Sequence, residues 1–365
     1  MYDSISLFSG AMGLDLGLEK AGIDIKICQD FDPSCYDTMI KNNKPAIAGD
    51  IRTIESNTIL EKSGLAKGEA FLLCGGPPCQ PFSTAGKRLG INDPRGSLFM
   101  DYVHMVSEIR PRFFVFENVK GLTSIAVDKG GEPGGVLEII LSEFQRIGYK
   151  TVYGVLDAVN YGVPQFRERM IIIGSRDNEN IFLPTQTHFM KHQLAQMRWR
   201  TLGETIKDLE TNPGPCTHFS EERLQYLRMI PEGGNWRDLP ATIQPVAMGG
   251  AWKSGGGKVG FYRRLSYSQP SPTIVTSPVQ KATMMCHPTR DRPLSVKEYA
   301  RIQQFPEDWK ITGTLSNQYK QIGNAVPVGL AEAVGNALVA TATGTAEIVT
   351  KRTRGTSAHK RIVCN

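Results

Sequence analysis

No stretch of this 365-residue chain approaches the ~18 consecutive apolar residues that a membrane-spanning helix requires, so no membrane association is expected. The amino terminus, Met1-Tyr2-Asp3-Ser4, is acidic and runs directly into an apolar strand pattern, which argues against a secretory signal. Cysteine is too sparse and irregular for a disulfide framework: there are seven, an odd number. The expectation is a cytoplasmic protein with reduced thiols. Metal-binding spacing is lacking too. His188 and His192 stand at i, i+4 spacing, but no third ligand and no His-Glu-x-x-His context accompany them, and Cys74 and Cys79 are divided between a strand and a loop. No internal repeat is found. The net charge of +6 and a pI near 8.9 are compatible with a nucleic-acid partner without demanding one.

What the chain does have is enough length for one large domain plus a smaller one, and a strong alternation of patterns. Apolar strand patterns at residues 5–8, 25–28, 71–74, 113–116, 152–156 and 170–173 alternate with amphipathic helices. One helix runs through Leu14, Leu18 and Ala21, one opens at Pro33, and one carries Val136, Leu137, Ile140, Leu141, Phe144 and Ile147 on a single face. This alternation predicts an α/β domain with a mostly parallel sheet and helices on both faces. The rhythm stops near residue 185. Residues 186–290 hold Gly233-Gly234, Gly249-Gly250 and Gly255-Gly256-Gly257 among scattered Arg, Lys, Trp and Pro, the composition of a loop-rich second domain. Ser295 is a candidate N-cap for a helix through Val296, Tyr299, Ala300 and Ile302 to Phe305, and a last helix follows Pro327. Residues 346–365, with Lys351-Arg352-Thr353-Arg354 and His359-Lys360-Arg361, read as a solvated basic tail.

The most informative run is Gly75-Gly76-Pro77-Pro78-Cys79-Gln80-Pro81-Phe82-Ser83, directly after the buried strand pattern Ala70-Phe71-Leu72-Leu73-Cys74. A cysteine beyond the carboxyl end of such a strand faces the crevice where open α/β sheets bind ligands, and the prolines hold it in a stiff loop. Upstream stands Phe8-Ser9-Gly10-Ala11-Met12-Gly13-Leu14-Asp15-Leu16-Gly17. Downstream come Phe116-Glu117-Asn118-Val119, Gln165-Phe166-Arg167-Glu168-Arg169 and Gln321-Ile322-Gly323-Asn324-Ala325-Val326-Pro327. In this order the set closely resembles the DNA cytosine-5 methyltransferases of bacterial restriction–modification systems, over about residues 4 to 340. The resemblance implies a Rossmann-like S-adenosylmethionine-dependent methyltransferase fold with a second, smaller loop-rich target recognition domain. It assigns residues 1–185, completed by 310–345, to the catalytic domain, 186–290 to target recognition and 291–309, with Glu298 and Arg301, to a hinge.

Cytosine carbon 5 is not nucleophilic enough to accept a methyl group unaided, and thiolate attack at carbon 6 makes the ring enamine-like. The resemblance assigns that attack to Cys79. Glu117, after a buried strand, would donate to ring nitrogen 3 and accept from the exocyclic amine, which requires a protonated carboxyl in the closed site. Arg169 would meet the base O2, with Arg167 supporting the loop or phosphates, and Asn118 would hold the Cys79 loop. Because the target base lies inside a duplex, base flipping is implied.

The loop Phe8–Gly17 suits an anionic group near a helix N-terminus, but its glycine spacing fails the dinucleotide fingerprint, which counts against a nicotinamide oxidoreductase. Asp30 can accept ribose hydroxyls and Phe31 can stack on adenine. The resemblance extends the S-adenosylmethionine set to Phe8, Ser9, Gly10, Gly13 and Leu14, to Asp50 with Ile51, to Pro78, and to Asn324 with Ala325. Relatives commonly carry glycine at the position of Met12. Double-stranded DNA is the expected partner. Gln80, Ser83, Lys87 and Arg88 lie in a candidate lid. Arg263 and Arg264 head the DNA candidates of the second domain, followed by Arg198, Arg200, Lys253 and Lys258. A monomer, nucleoid-associated through DNA, is expected, with a cognate restriction endonuclease acting separately and no repressor-type extension before residue 4. Transfer RNA as substrate and an inactive DNA-binding module are the alternatives, and retention of Cys79, Glu117 and Arg169 together argues against the second.

Overall fold

The computed structural model describes residues 2–78, 98–126, 131–191, 196–255 and 258–345. The chain divides into two compact units. The first comprises Met1–Asp157, Glu168–Gln186 and Val328–Asn365, the second Ala158–Arg167 and Thr187–Pro327. Residues 310–327, assigned from the sequence to completion of the catalytic domain, group with the second unit, and the return to the first begins at Val328.

The first unit is built on a seven-stranded sheet: β1 (Asp3–Leu7), β2 (Asp24–Asp30), β3 (Ala46–Ala48), β4 (Leu72–Gly75), β5 (Phe113–Val119), β6 (Lys150–Asp157) and β7 (Glu168–Ser175), in the order β3-β2-β1-β4-β5-β7-β6. Pairing is parallel from β3 through β5, while β7 runs antiparallel to both β5 and β6. The strands are near-continuous apolar runs because they are covered on both faces. Ile5, Leu7, Ile27, Leu73, Phe114 and Phe116 pack in one cluster with α3 (Ser56–Ser63), α4 (Leu98–Ile109) and α5 (Gly135–Arg146). Alternate positions point the other way. There Cys28, Ser6 and Cys74 form a row across β2, β1 and β4, in register. Asp15 of α1 (Gly13–Lys20) lies beside this row, fully buried, and burial raises its carboxyl to about 7.

Strand order places a switch point at β1 and β4. The chain leaves β1 toward β2 and β3, then returns to add β4 on the other side, which opens a crevice at the carboxyl ends of these strands. The segments that follow β1 and β4 are the two glycine-bearing runs singled out in the sequence. Glu117 is within β5 rather than after it. Because β7 is reversed, its first residues lie level with the end of β5, and Arg169 pairs with Val119.

The last helix, α11 (Val328–Ala342), packs on α1 at contact distance. A Cβ on Gly17 would stand 2.3 Å from the Val328 carbonyl oxygen and 2.4 Å from the Ala331 Cβ, and one on Gly335 would stand 2.6 Å from the Ala21 Cβ. By composition, Leu315–Ala342 could cross a membrane. It is nevertheless two helices, α10 (Leu315–Asn324) and α11, separated at Ala325-Val326-Pro327, and α11 turns Leu330, Val334 and Leu338 into the core.

The second unit is loop-rich, with short helices and only the two-residue strands β8 (His188–Phe189) and β9 (Met197–Arg198) among its described residues. Phe219, Leu227, Ile230, Leu239, Met248, Tyr262, Met284 and Cys286 form its core. Ser295 caps α9 (Val296–Ile302) in a capping box with Glu298. Glu298 is fully buried and accepts both Nη groups of Arg292 at 2.8 Å. His287, also fully buried, accepts at Nδ1 from the Thr289 and Arg290 amides and faces Tyr267 and Glu298 through Nε2. Burial lowers His287 to about 3, so it is neutral in the folded protein.

Two outcomes follow from this packing. Gly→Ala in a helix ordinarily stabilises by about 1 kcal/mol, but Gly17→Ala drives a methyl into α11, and we expect a net loss of about 1–3 kcal/mol by chemical denaturation. The unfolded chain protonates histidine near pH 6.5 while folded His287 does not until about pH 3. Stability is therefore complete above pH 6.5 and falls between pH 6.5 and 3 by up to ~1.4 kcal/mol per pH unit from this group. His287→Gln should flatten that part of a stability-versus-pH curve.

Candidate active site

Where β4 ends, Gly75 is compelled by close packing, since a Cβ there would stand 2.6 Å from the Leu7 carbonyl oxygen and 2.9 Å from the Tyr102 ring. Tyr102, from α4, donates its hydroxyl within the fully buried core, 2.9 Å from the Leu73 carbonyl and 2.8 Å from that of Val115, so it ties β4 to β5 beneath the site. Gly76 has its own constraint: a Cβ there would meet Glu117 Oε2 at 2.6 Å. Asn118 donates from Nδ2 to the Pro77 carbonyl at 2.9 Å, so it does hold the start of the Pro-Pro segment. Cys79 itself, with Gln80, Ser83, Lys87 and Arg88, lies outside the described residues.

Glu117 and Arg169 come together across β5 and β7, with Arg169 Nε 2.7 Å from Glu117 Oε1 and both side chains largely buried. Arg169 Nη1 also donates to the Glu168 carbonyl at 2.9 Å. Here Glu117 Oε1 accepts from a guanidinium, whereas the role expected for Glu117 is that of a donor.

The cofactor loop has an unusual backbone. Phe8, Gly10 and Met12 all adopt left-handed conformations, with φ of 55°, 56° and 68°. Glycine tolerates this freely, whereas a residue with a side chain costs about 1–2 kcal/mol. At Met12 the fully buried methionine side chain offsets the strain. Met12 is the N-cap of α1 and offers no side-chain cap to that helix end. The space above Gly10 is open, since a Cβ there would meet nothing within 4 Å. An uncapped helix N-terminus under an open glycine suits an anionic group. Asp30 anchors the loop: Oδ2 accepts the Gly10 amide at 2.7 Å and Oδ1 the Asp32 amide at 2.8 Å. Burial raises its carboxyl above the usual range. The Phe31 ring is 70% exposed and free to stack. These features fit an adenosyl cofactor that ends in a carboxylate.

Other cofactor candidates have competing duties. Ser9 hydrogen-bonds Ser6 at 2.7 Å, and Gly13 and Leu14 are buried in the first turn of α1. Asp50 caps the 3₁₀ turn Ile51–Thr53 and pairs with Arg52, which holds its carboxyl below the usual range. The Ile51 side chain belongs to the core, so only its backbone is available. Pro78 is exposed. Exposed Asn324 and buried Ala325 end α10, in the second unit.

Arg167 is buried in the second unit, with Nη1 on the Ile274 carbonyl at 2.9 Å and Nη2 on that of Gly323 at 2.6 Å. Gln165 accepts the Ile274 amide and donates to Gln303, which itself donates to the Ile322 and Ala325 carbonyls. Thus Arg167 supports a loop rather than phosphate. Gln165 and Gln303, which bond each other beside it, went unassigned in the sequence, although both lie inside segments that were singled out.

Arg264 requires a correction as a DNA candidate. It is buried, and its donors meet the carbonyls of Ile230, His287, Arg290 and Leu227 and the Asp291 carboxylate. That uses all five N–H groups of a guanidinium. Arg263 is likewise directed inward, to the Met284 carbonyl and Met285 Sδ. Arg198 pairs with Glu204, and Lys258 donates to the Trp252 carbonyl at 2.9 Å.

The sheet order, the reversed seventh strand and the loop after β1 are those of Rossmann-like S-adenosylmethionine-dependent methyltransferases. Within that class, the chain belongs to the C-5 cytosine-specific DNA methylase family, whose model matches residues 2–340. It is 40% identical to the type II methyltransferase M.Sau96I of Staphylococcus aureus over 93% of this chain and 76% of the relative. It is 37% identical to M.Eco47II of Escherichia coli over 93% and 79%. Among solved structures, a putative DNA modification methyltransferase encoded within an E. coli prophage matches with a TM-score of 0.67 at 22% identity, covering 94% of this chain and 100% of that one. Spodoptera frugiperda DNMT2 matches with a TM-score of 0.60 at 16% identity, over 93% and 100%. The protein is a cytosine-5 DNA methyltransferase that uses S-adenosylmethionine.

The buried setting of Arg264 generates a test. Arg264→Met removes a cation that holds four carbonyls and a carboxylate, and we expect a loss of about 3–5 kcal/mol in a thermal or denaturant melt. An Arg264 that served only DNA would leave the melt unchanged.

Proposed function

We propose that this protein methylates one cytosine within a short, specific double-stranded DNA sequence, with Cys79 as covalent nucleophile on a flipped-out base. The observation that carries the proposal is the Glu117–Arg169 pair at the ends of β5 and β7, with Asn118 fixing the Pro77 carbonyl just ahead of Cys79.

Cys79 attacks carbon 6, and Glu117 donates a proton to ring nitrogen 3 as electron density moves toward carbon 5. The bound cofactor supplies the methyl group for carbon 5. A base then abstracts the carbon 5 proton, elimination releases the Cys79 thiolate, and the nitrogen 3 proton returns to the Glu117 carboxylate. When cytosine arrives, Arg169 turns part of its guanidinium from Glu117 to the base O2. That exchange frees Glu117 for the nitrogen 3 and amine edge, a pattern thymine does not match. Asp30, Phe31 and the Phe8–Leu14 loop hold the cofactor, with Asp50, Ile51, Pro78, Asn324 and Ala325 as further contacts. Gln80, Ser83, Lys87 and Arg88 approach the DNA beside the nucleophile. The second unit reads the sequence. The chain acts as a monomer, and its methylation protects host DNA from a separate cognate endonuclease, as the type II character of its relatives supports.

Cys79→Ala should abolish methyl transfer while DNA binding persists. The check is bisulfite sequencing of DNA from a methylation-free bacterial host, paired with a gel-shift on the same DNA. Methylcytosine at one motif with wild type and none with the variant supports the mechanism. Full methylation by the variant refutes it.

A further inference from the structure

Behind the cofactor loop lies a buried amide that no sequence pattern marked. Gln29 is 1% exposed and stands near the carboxyl end of β2. On that strand Ile25, Ile27 and Gln29 share one face. The first two are buried aliphatics, and Ile27 packs in the cluster with α3, α4 and α5. An aliphatic at the third position would avoid the cost of desolvating a primary amide, which only hydrogen bonds offset.

The bonds of this amide reach two separate segments. β2 lies between β1 and β3, and Gln29 pairs in register with Leu7 on one side and Ile47 on the other. Both neighbouring strands end within a residue of these partners. β1 runs out into the Phe8–Leu14 loop and β3 into the Gly49–Asp50 turn. Gln29 Nε2 donates to the Gly49 carbonyl at 2.6 Å, and its Oε1 accepts the Phe8 amide at 3.4 Å. Its main-chain carbonyl accepts the Ser9 amide at 3.0 Å. The next residue repeats the pattern: the Asp30 carbonyl accepts the Gly49 amide at 3.1 Å, and its carboxyl accepts the Gly10 amide.

The Phe8 end of this bridge carries backbone strain. Phe8 is left-handed, with φ of 55°. A residue with a side chain persists in that conformation only where its surroundings over-determine it. Gln29 takes up the Phe8 amide with its side chain and the following amide with its main chain, so the departure of the loop from β1 is fixed at two consecutive peptide groups.

We infer that Gln29 is a positioning residue for S-adenosylmethionine: its single planar amide sets the spacing between the loop that takes the cofactor's carboxylate and the Gly49–Asp50 turn that meets its adenosyl end. It acts through Phe8, Ser9 and Gly49. The inference rests on the cofactor placement proposed above.

The test uses the full chain, titrated with S-adenosylmethionine in a calorimeter without DNA, alongside steady-state methylation of unmethylated plasmid. Gln29→Met keeps the length and apolar contacts of the side chain and removes both of its bonds. It should weaken S-adenosylmethionine binding about ten-fold, the equivalent of about one net hydrogen bond, raise KM for the cofactor to match, and leave kcat at saturating cofactor within about two-fold. Gln29→Asn, with the amide drawn back by one methylene, should behave alike. Ile27→Val is the control, since it loosens the same face of the same strand without touching the amide. Its Tm should fall while its affinity for S-adenosylmethionine stays at the wild-type value. Folded Gln29 variants that bind as wild type does, or an Ile27→Val that weakens binding as much as they do, overturn the inference, as does failure of both Gln29 variants to fold. Phe31→Ala that binds S-adenosylmethionine as tightly as wild type overturns the cofactor placement itself.

Discussion

The candidate active site depends on a charge pair made across antiparallel strands. Glu117 and Arg169 are far apart in sequence and meet only because β7 is reversed relative to β5. A parallel seventh strand would carry Arg169 to the opposite edge of the sheet. The pair also explains the local sequence. Gly76 has no side chain because Glu117 Oε2 occupies that space, and Asn118 turns to the Pro77 carbonyl from the next position of the same strand. Two adjacent residues of β5 thus position one reactive group and one loop.

Polar groups in the second unit take over work that a sheet would otherwise do. With little strand structure among its described residues, its loops are held by side chains that reach the backbone: Arg264, Arg167 and Gln303 at carbonyls, and Gln165 at the Ile274 amide. A buried guanidinium with all its donors satisfied is stable only as a complete set, since losing one partner leaves a desolvated group behind. Such a framework can hold irregular backbone without regular hydrogen-bond ladders.

Much of the first unit was legible in the sequence because its strands are apolar runs of the right length, set apart by glycine, proline and amphipathic helices. Ser295 was readable as a cap, whereas the capping role of Asp50 was not. Glu117 and Arg169 stood out by their order along the chain, but their pairing is visible only in the fold. Arginine in loops was not legible. Arg264 and Lys253 are alike in composition and opposite in setting, and only the fold shows which faces inward. The excursion of residues 158–167 into the second unit was hidden for a similar reason: it is marked by Gln165 and Arg167, whose partners lie more than a hundred residues away. The left-handed backbone at Met12 was not legible, since methionine rarely adopts it.

The packing of α11 on α1 bears on how the protein folds. Gly17 and the helix that closes over it, Val328–Ala342, lie at widely separated points of the chain. Joining such distant segments closes a long loop, and that entropy must be met before the contact repays it. We therefore expect α1 and the loop it supports to gain their cover only after the neighbouring β–α units have formed.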